Sequence, residues 1–257
     1  MPTNRRLAER GCAELQFEAL AHKYEEFDGS LLKKFVTTEM VVTMAGNLVG
    51  KSVIDVGCGN GHFCRIYAAM GARDVLGIDS SATQIGKALS KSSAGIRYIQ
   101  GNATCMAEVG GGFDVATAVF FFMYLDRAGL DEAARQIHMR LSSQGKLIAV
   151  ITNPEILLPN GRKYGREIIS LRGSANLDDG EKFLSAFYDS TGIHRLDLKA
   201  INYSKDTYER SLLRAGFSSI EWIGPKISVE GIKSCAEGFW DSYMRNPYSI
   251  GLIARKE

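Results

Sequence analysis

The segment VIDVGCGNGHF (53–63) is where residue types and spacing first suggest chemistry: an apolar run reaches Asp55, and glycine then recurs at 57, 59 and 61. Glycine lacks a Cβ, so such a loop lets a ligand approach the backbone closely. Where the loop leads from a strand into a helix, the free N–H groups of the helix start face the same ligand. A second signal lies 22 residues beyond Gly57, where Asp79 ends the apolar segment DVLGIDSS (74–81). A carboxylate at that point can accept hydrogen bonds from both hydroxyls of a ribose. The competing roles are a tight turn for the glycines and a helix cap for Asp79.

The elements that must position these residues follow from periodicity. Apolar runs at 51–57, 74–81, 96–103, 113–122 and 145–153 read as five strands, and the stretches between them read as helices, including 61–70, 81–93 and 126–143. This alternation predicts a parallel sheet wound on both faces. The run FDVATAVFFF (113–122) is apolar on both faces, as a central strand requires. Residues 12–28 and about 30–48 have helical spacing. The rhythm breaks at 154–203, where FLSAFYDS and HRLDLKAINY suggest a small cap or hairpin. It resumes with SKDTYERSLLRAGF (204–217), in which Ser204 is placed to start a helix and Gly216 to end it. A sixth strand at SSIEWIG and a last one at PYSIGLIARK follow, with helical VEGIKSCAEGFWDSYMRN between them.

Composition narrows the class. With 45% hydrophobic and 23% charged residues, the 257-residue chain can bury a core without disulfides. The formal charge of +2 comes from scattered basic residues, which argues against a nucleic-acid surface. The five cysteines show no metal-ligand spacing, so no metal is expected. No apolar stretch has the length of a signal peptide or a membrane span, so the expected location is the cytoplasm, with no membrane partner.

The D-x-G-x-G-x-G loop resembles motif I of the class I S-adenosylmethionine-dependent methyltransferases. A dinucleotide fingerprint would place its third glycine one residue later. YIQGNA (98–103), FDVATAVFFFMYL, GKLIAVI and LLRAGF are similar to further segments of that family. The resemblance implies an α/β, doubly wound, mostly parallel, seven-stranded Rossmann-like sheet with an N-terminal helical cap and a lid insertion after the fifth strand. It divides the chain into a cap (1–48), a core (49–153 and 204–257) and a lid (154–203). It also implies S-adenosyl-L-methionine as cofactor and S-adenosyl-L-homocysteine as product. The implied contacts are Asp55 at the methionine end, the loop glycines 57, 59 and 61, Asp79 and Ser80 at the ribose, and Asn102 and Ala103 at the adenine. Phe120 lies under the cofactor and Tyr24 covers it from the N-terminal helix. The family usually has Asp where this chain has Asn102.

The end of the fourth strand lacks the [DNS]-P-P-[YFW] sequence of enzymes that methylate base or glutamine amines. Its aromatic run instead suits a small planar acceptor, walled by Phe121 and Tyr124 and by Tyr164 and Trp240 from the later segments. The outer motifs are loosely similar to toxoflavin-type N-methyltransferases. Methyl transfer by in-line displacement depends mainly on alignment; if a base is needed, His194 in TGIHRLDL is the candidate, ahead of His22, His62 and His138. Three readings stay open beside this one: an RNA or protein methyltransferase, a non-catalytic S-adenosylmethionine-binding sensor or subunit, and a nicotinamide dehydrogenase. The acceptor, the atom methylated, and the choice between monomer and homodimer are not legible.

Overall fold

Apolar runs long enough to be buried on both faces become the middle of a parallel sheet. The computed structural model describes residues 30–257 together with Gln16, Glu18 and Leu20; Tyr24, His22 and most of the expected 12–28 helix lie outside the described residues. The strands are β1 (Ser52–Val56), β2 (Asp74–Asp79), β3 (Ile96–Gln100), β4 (Phe113–Val119), β5 (Leu141–Thr152), β6 (Arg166–Ser170), β7 (Lys182–Tyr188), β8 (His194–Ile201), β9 (Ser219–Ile223) and β10 (Ser249–Arg255). Seven of them form one sheet in the order β3-β2-β1-β4-β5-β10-β9, parallel except for β10, which runs antiparallel to both neighbours. β5 starts four residues earlier than its apolar run indicates.

Alternate residues of each strand feed opposite layers. Val53, Val75, Val115 and Ile148 pack on one face, and Ile54, Leu76, Ala116 and Leu147 on the other. The first face is covered by a π-helical turn (Lys33–Thr37) that runs into α1 (Thr38–Ala45), and by α2 (His62–Ala69). The flank beside β2 and β3 carries α3 (Ala82–Ser90). The second face carries α4 (Arg127–Arg140) and α5 (Lys205–Ala215). The 229–246 segment, expected as one helix, forms two short ones, α6 (Val229–Lys233) and α7 (Asp241–Arg245). No helix among the described residues is long and apolar enough to cross a membrane.

The segment after β5 is a second sheet rather than a hairpin: β6, β7 and β8 are antiparallel in the order β6-β7-β8. Strand order reverses between β1 and β4, and a crevice opens at the carboxyl ends of these strands, where ligands of such sheets bind.

The caps follow local chemistry. The side chains of Ser81, Asp126, Ser204 and Ser228 each accept a backbone N–H at the start of α3, α4, α5 and α6. Gly216 ends α5 with φ 108°, a conformation that favours glycine. Since α5 packs on α4 across the second face, Ser204→Ala is expected to lower stability by about 1 kcal/mol. A urea titration should show a lower midpoint at unchanged slope; an unchanged midpoint would show that the cap contributes nothing.

Candidate functional site

The glycine loop is latched to the neighbouring strand before any ligand is considered. Gly57 N and Cys58 N both donate to Ile78 O, at 2.8 and 3.0 Å. Gly59 N donates to Asp79 Oδ2 and Ser81 N donates to Asp79 Oδ1, each at 2.9 Å. The helix cap is therefore Ser81, and Asp79 joins the loop after β1 to the turn before α3. The glycines have different reasons to be glycine. A Cβ on Gly61 would lie 2.3 Å from Tyr98 Oη, so packing of β3 demands that residue. A Cβ on Gly59 would meet nothing within 4 Å, because the space over it is open crevice. Gly57 backs onto the Phe121 ring.

Two open cavities flank the loop and share Gly57, Gly59, Gln84, Val119 and Phe120 as walls. The first is lined by Asp79, Ser80, Asn102, Ala103, Phe121 and Tyr124. The second reaches the three-stranded sheet and is lined by Lys33, His62, Phe63, Tyr164, Arg166 and Phe187. Asn102 Oδ1 accepts from both the N–H and the hydroxyl of Thr104 at 2.9 Å, which leaves its amide N–H groups for the cavity. Glu18 accepts from Ser81 Oγ at 2.6 Å and Thr83 Oγ1 at 2.7 Å at the start of α3.

Several expected residues lie elsewhere. His194 is 49% exposed at the start of β8, bonded through Nε2 to Asp197 Oδ1 at 2.8 Å and packed on Tyr188; it lines neither cavity. Trp240 is buried, donates to Gly231 O at 2.9 Å and stacks on Tyr164 at 5.5 Å, so it backs the wall rather than forming it. Tyr164 does form the wall, but its hydroxyl is spent on Phe239 O at 2.9 Å and Ser242 Oγ at 2.7 Å. Phe121 and Tyr124, expected beside an acceptor, line the Asp79 cavity instead. Gly61 lines neither cavity, and Tyr24 lies outside the described residues. Sequence reasoning missed Arg166, Lys33, Thr37 and Gln84. Four lid arginines look alike in the sequence, and only the fold tells which one turns inward.

Asp55 lies beneath the loop, not in the cavities. It is 2% exposed, accepts from Thr117 Oγ1 at 2.5 Å, and takes a weak bond from Cys64 Sγ at 3.4 Å. Burial dominates over these two bonds and pushes its carboxyl up to about 6.

Residues 53–145 match the model of a family described as methyltransferase domain. Among curated relatives, an uncharacterized protein of Haemophilus influenzae is 30% identical over 125 residues, covering 46% of this chain and 48% of that protein. The ubiquinone biosynthesis O-methyltransferase of Sinorhizobium medicae is 44% identical over 71 residues, covering 26% of this chain and 28% of that protein. The chain thus spans about half the length of the first relative and less of the second. A solved structure of an S-adenosylmethionine-dependent methyltransferase from Mesorhizobium loti superposes with a TM-score of 0.62 at 20% identity, covering 90% of this chain and all of that one (100%).

The raised Asp55 carboxyl sets a pH dependence of stability. The native state holds this proton to about pH 6, whereas the unfolded chain releases it near the ordinary carboxyl value of 3.8. The folded protein therefore binds more protons between these values, and stability falls as pH rises through the window. Asp55→Asn should remove that fall, on the order of 2–3 kcal/mol between pH 4 and pH 7. Urea unfolding at the two pH values measures it, and equal slopes for wild type and variant would rule it out.

Proposed function

We propose that this chain, in which residues 53–145 are a methyltransferase domain set in the sheet of the class I S-adenosylmethionine-dependent methyltransferases, moves a methyl group to oxygen or nitrogen of a small aromatic or heterocyclic acceptor. One observation carries the reading. A cavity lined by Asp79, Ser80 and Asn102 shares Gly57, Gly59, Val119 and Phe120 as walls with a second cavity rich in aromatic rings. The shared walls are where two bound reactants would meet.

The residues of the first cavity fit the cofactor. Asp79 accepts one backbone N–H on each oxygen and lines this cavity, where its carboxylate suits the hydroxyls of a ribose. Asn102 can donate to an adenine ring nitrogen, a role reversed from that of a carboxylate, because its carbonyl is held by Thr104. Phe121, Tyr124 and Ala103 supply apolar faces for the base. Open space over Gly59 lets the chain's backbone approach the ligand. Bound there, S-adenosylmethionine supplies an electrophilic methyl group, with S-adenosylhomocysteine as product.

The protein's part is alignment. Holding an acceptor at attack distance contributes roughly 7–11 kcal/mol in favourable cases. With His194 outside the cavities, this reading gives no side chain on β8 a role in proton removal, and it favours acceptors that release a proton readily. The aromatic rings of the second cavity support a flat small-molecule acceptor over RNA or a protein segment.

Calorimetric titration with S-adenosylmethionine, S-adenosylhomocysteine and, as control, NADH tests the cofactor. Micromolar binding of the first two and none of NADH is expected. Asp79→Ala should weaken that binding at least tenfold, since a lost charged acceptor costs about 1.5–3 kcal/mol; unchanged affinity in a folded variant would remove the ribose role. Tight binding with no methyl transfer to a panel of phenols and N-heterocycles would favour a sensor or partner subunit.

A further inference from the structure

The three-stranded sheet carries four arginines near its strands, and three of them face carboxylates. Arg162 pairs with Glu167 at 2.9 Å, Arg172 with Asp178 and Glu181 at 2.5 and 2.6 Å, and Arg195 with Asp189 at 2.6 Å. All three are exposed. Arg166 differs on both counts: it is 9% exposed and, among the described residues, has no ion pair. Its Nε donates to Ser185 Oγ at 2.7 Å. Its guanidinium lies between two rings, 4.9 Å from the centroids of both Phe120 and Phe187. Among the described residues, two aromatic faces and one hydroxyl supply no counter-anion, and the four N–H groups of the terminal nitrogens have no protein acceptor. These nitrogens are not sealed off, and Arg166 lines the second cavity, so a ligand there can reach them.

The side chain is also held in place. Arg166 pairs with Phe187 in the β6–β7 register, and its carbonyl accepts from Tyr248 Oη at 2.6 Å. A cation fixed from its backbone to its Nε, with its edge on a cavity, is built to meet something planar and anionic. The cavity agrees: Lys33 and Arg166 are its charged walls, and no Asp or Glu lines it among the described residues.

We propose that Arg166 is the anchor for a carboxylate carried by a planar, aromatic-sized acceptor. This deepens the methyltransferase reading of the same crevice and rests on it. The rings of Phe120, Phe187 and Tyr164 take the flat body of the acceptor, and the terminal nitrogens of Arg166 take its carboxylate. A carboxylate so bound is a poor nucleophile, because the guanidinium holds its lone pairs. It is a handle, and another oxygen or nitrogen of the acceptor receives the methyl group.

The test uses benzoate as probe, its neutral isostere benzamide, and inorganic phosphate. Each is titrated calorimetrically into the 257-residue chain, alone and loaded with S-adenosylhomocysteine. Benzoate is expected to bind at least tenfold more tightly than either other probe. Arg166→Met should abolish that preference while changing S-adenosylhomocysteine affinity less than twofold. Arg166→Lys, which keeps the charge without the planar fork, should keep only part of it, and it reports independently should the methionine variant fail to fold. Equal binding of benzoate and benzamide, or phosphate binding as tightly as benzoate, overturns the proposal. So does an Arg166→Met variant that loses S-adenosylhomocysteine while retaining benzoate, which would assign Arg166 to the cofactor. Benzoate selectivity in a protein that binds no S-adenosylhomocysteine would leave the anion site standing and remove the methyltransferase reading instead.

Discussion

The open end of the sheet depends on the carboxylate of Asp79. As the last residue of β2, it takes the N–H of Gly59 from the loop after β1 and the N–H of Ser81 from the turn into α3. Hydrogen bonds to a charged acceptor contribute about 1.5–3 kcal/mol each, more than a neutral pair. With Gly57 N and Cys58 N on Ile78 O, the β1–β2 pairing continues two residues past the strand end. The loop therefore has a fixed shape at the place where glycine would otherwise leave it most freedom. Asp79 also lines the first cavity, so the residue that holds the loop is one that a ligand there would meet.

A second constraint sits on the facing strand. Phe120 follows β4 with φ 50°, a left-handed conformation that costs a non-glycine residue roughly 1–2 kcal/mol. Its N–H donates to Val150 O at 2.7 Å, which continues the β4–β5 ladder one residue beyond the strand. The turn places the ring on both cavities instead of in the layer below, and the Arg166 guanidinium packs on its face. That contact contributes about 2 kcal/mol when desolvated, enough to offset the backbone term. Strain at Phe120 and burial of Arg166 thus support each other across the boundary between the two sheets.

The parts of this arrangement that were legible in the sequence are those set by short-range periodicity. Five apolar runs gave the parallel strands because a central strand must be apolar on both faces. Asp79 and the glycines were readable because strand end, loop and spacing coincide there. The lid was not. In a small antiparallel sheet the side chain's direction depends on register, and a one-residue slip exchanges the faces. The register of β7 and β8 shifts between Phe187 and Tyr188, which turns Phe187 to the cavity and sets His194 against Tyr188 on the outside. His194 thus lies away from both cavities, whereas Arg166 lines the second. Stacking order likewise was not legible: Tyr164 faces the cavity and Trp240 stands behind it.

The two cavities differ in charge. Asp79 stands in the first, while the second has Lys33 and Arg166 as its charged walls. Discrimination in such a crevice comes as much from mismatches as from contacts. A cationic acceptor would bring a like charge to Arg166 in a poorly solvated space. A neutral acceptor of the same shape would displace water from the guanidinium edge and return no anion, leaving buried donors unmatched. An anionic acceptor, as proposed for Arg166, would match the guanidinium. The arginine that lacks a carboxylate in its own sheet would then be the residue through which this cavity distinguishes among otherwise similar flat molecules.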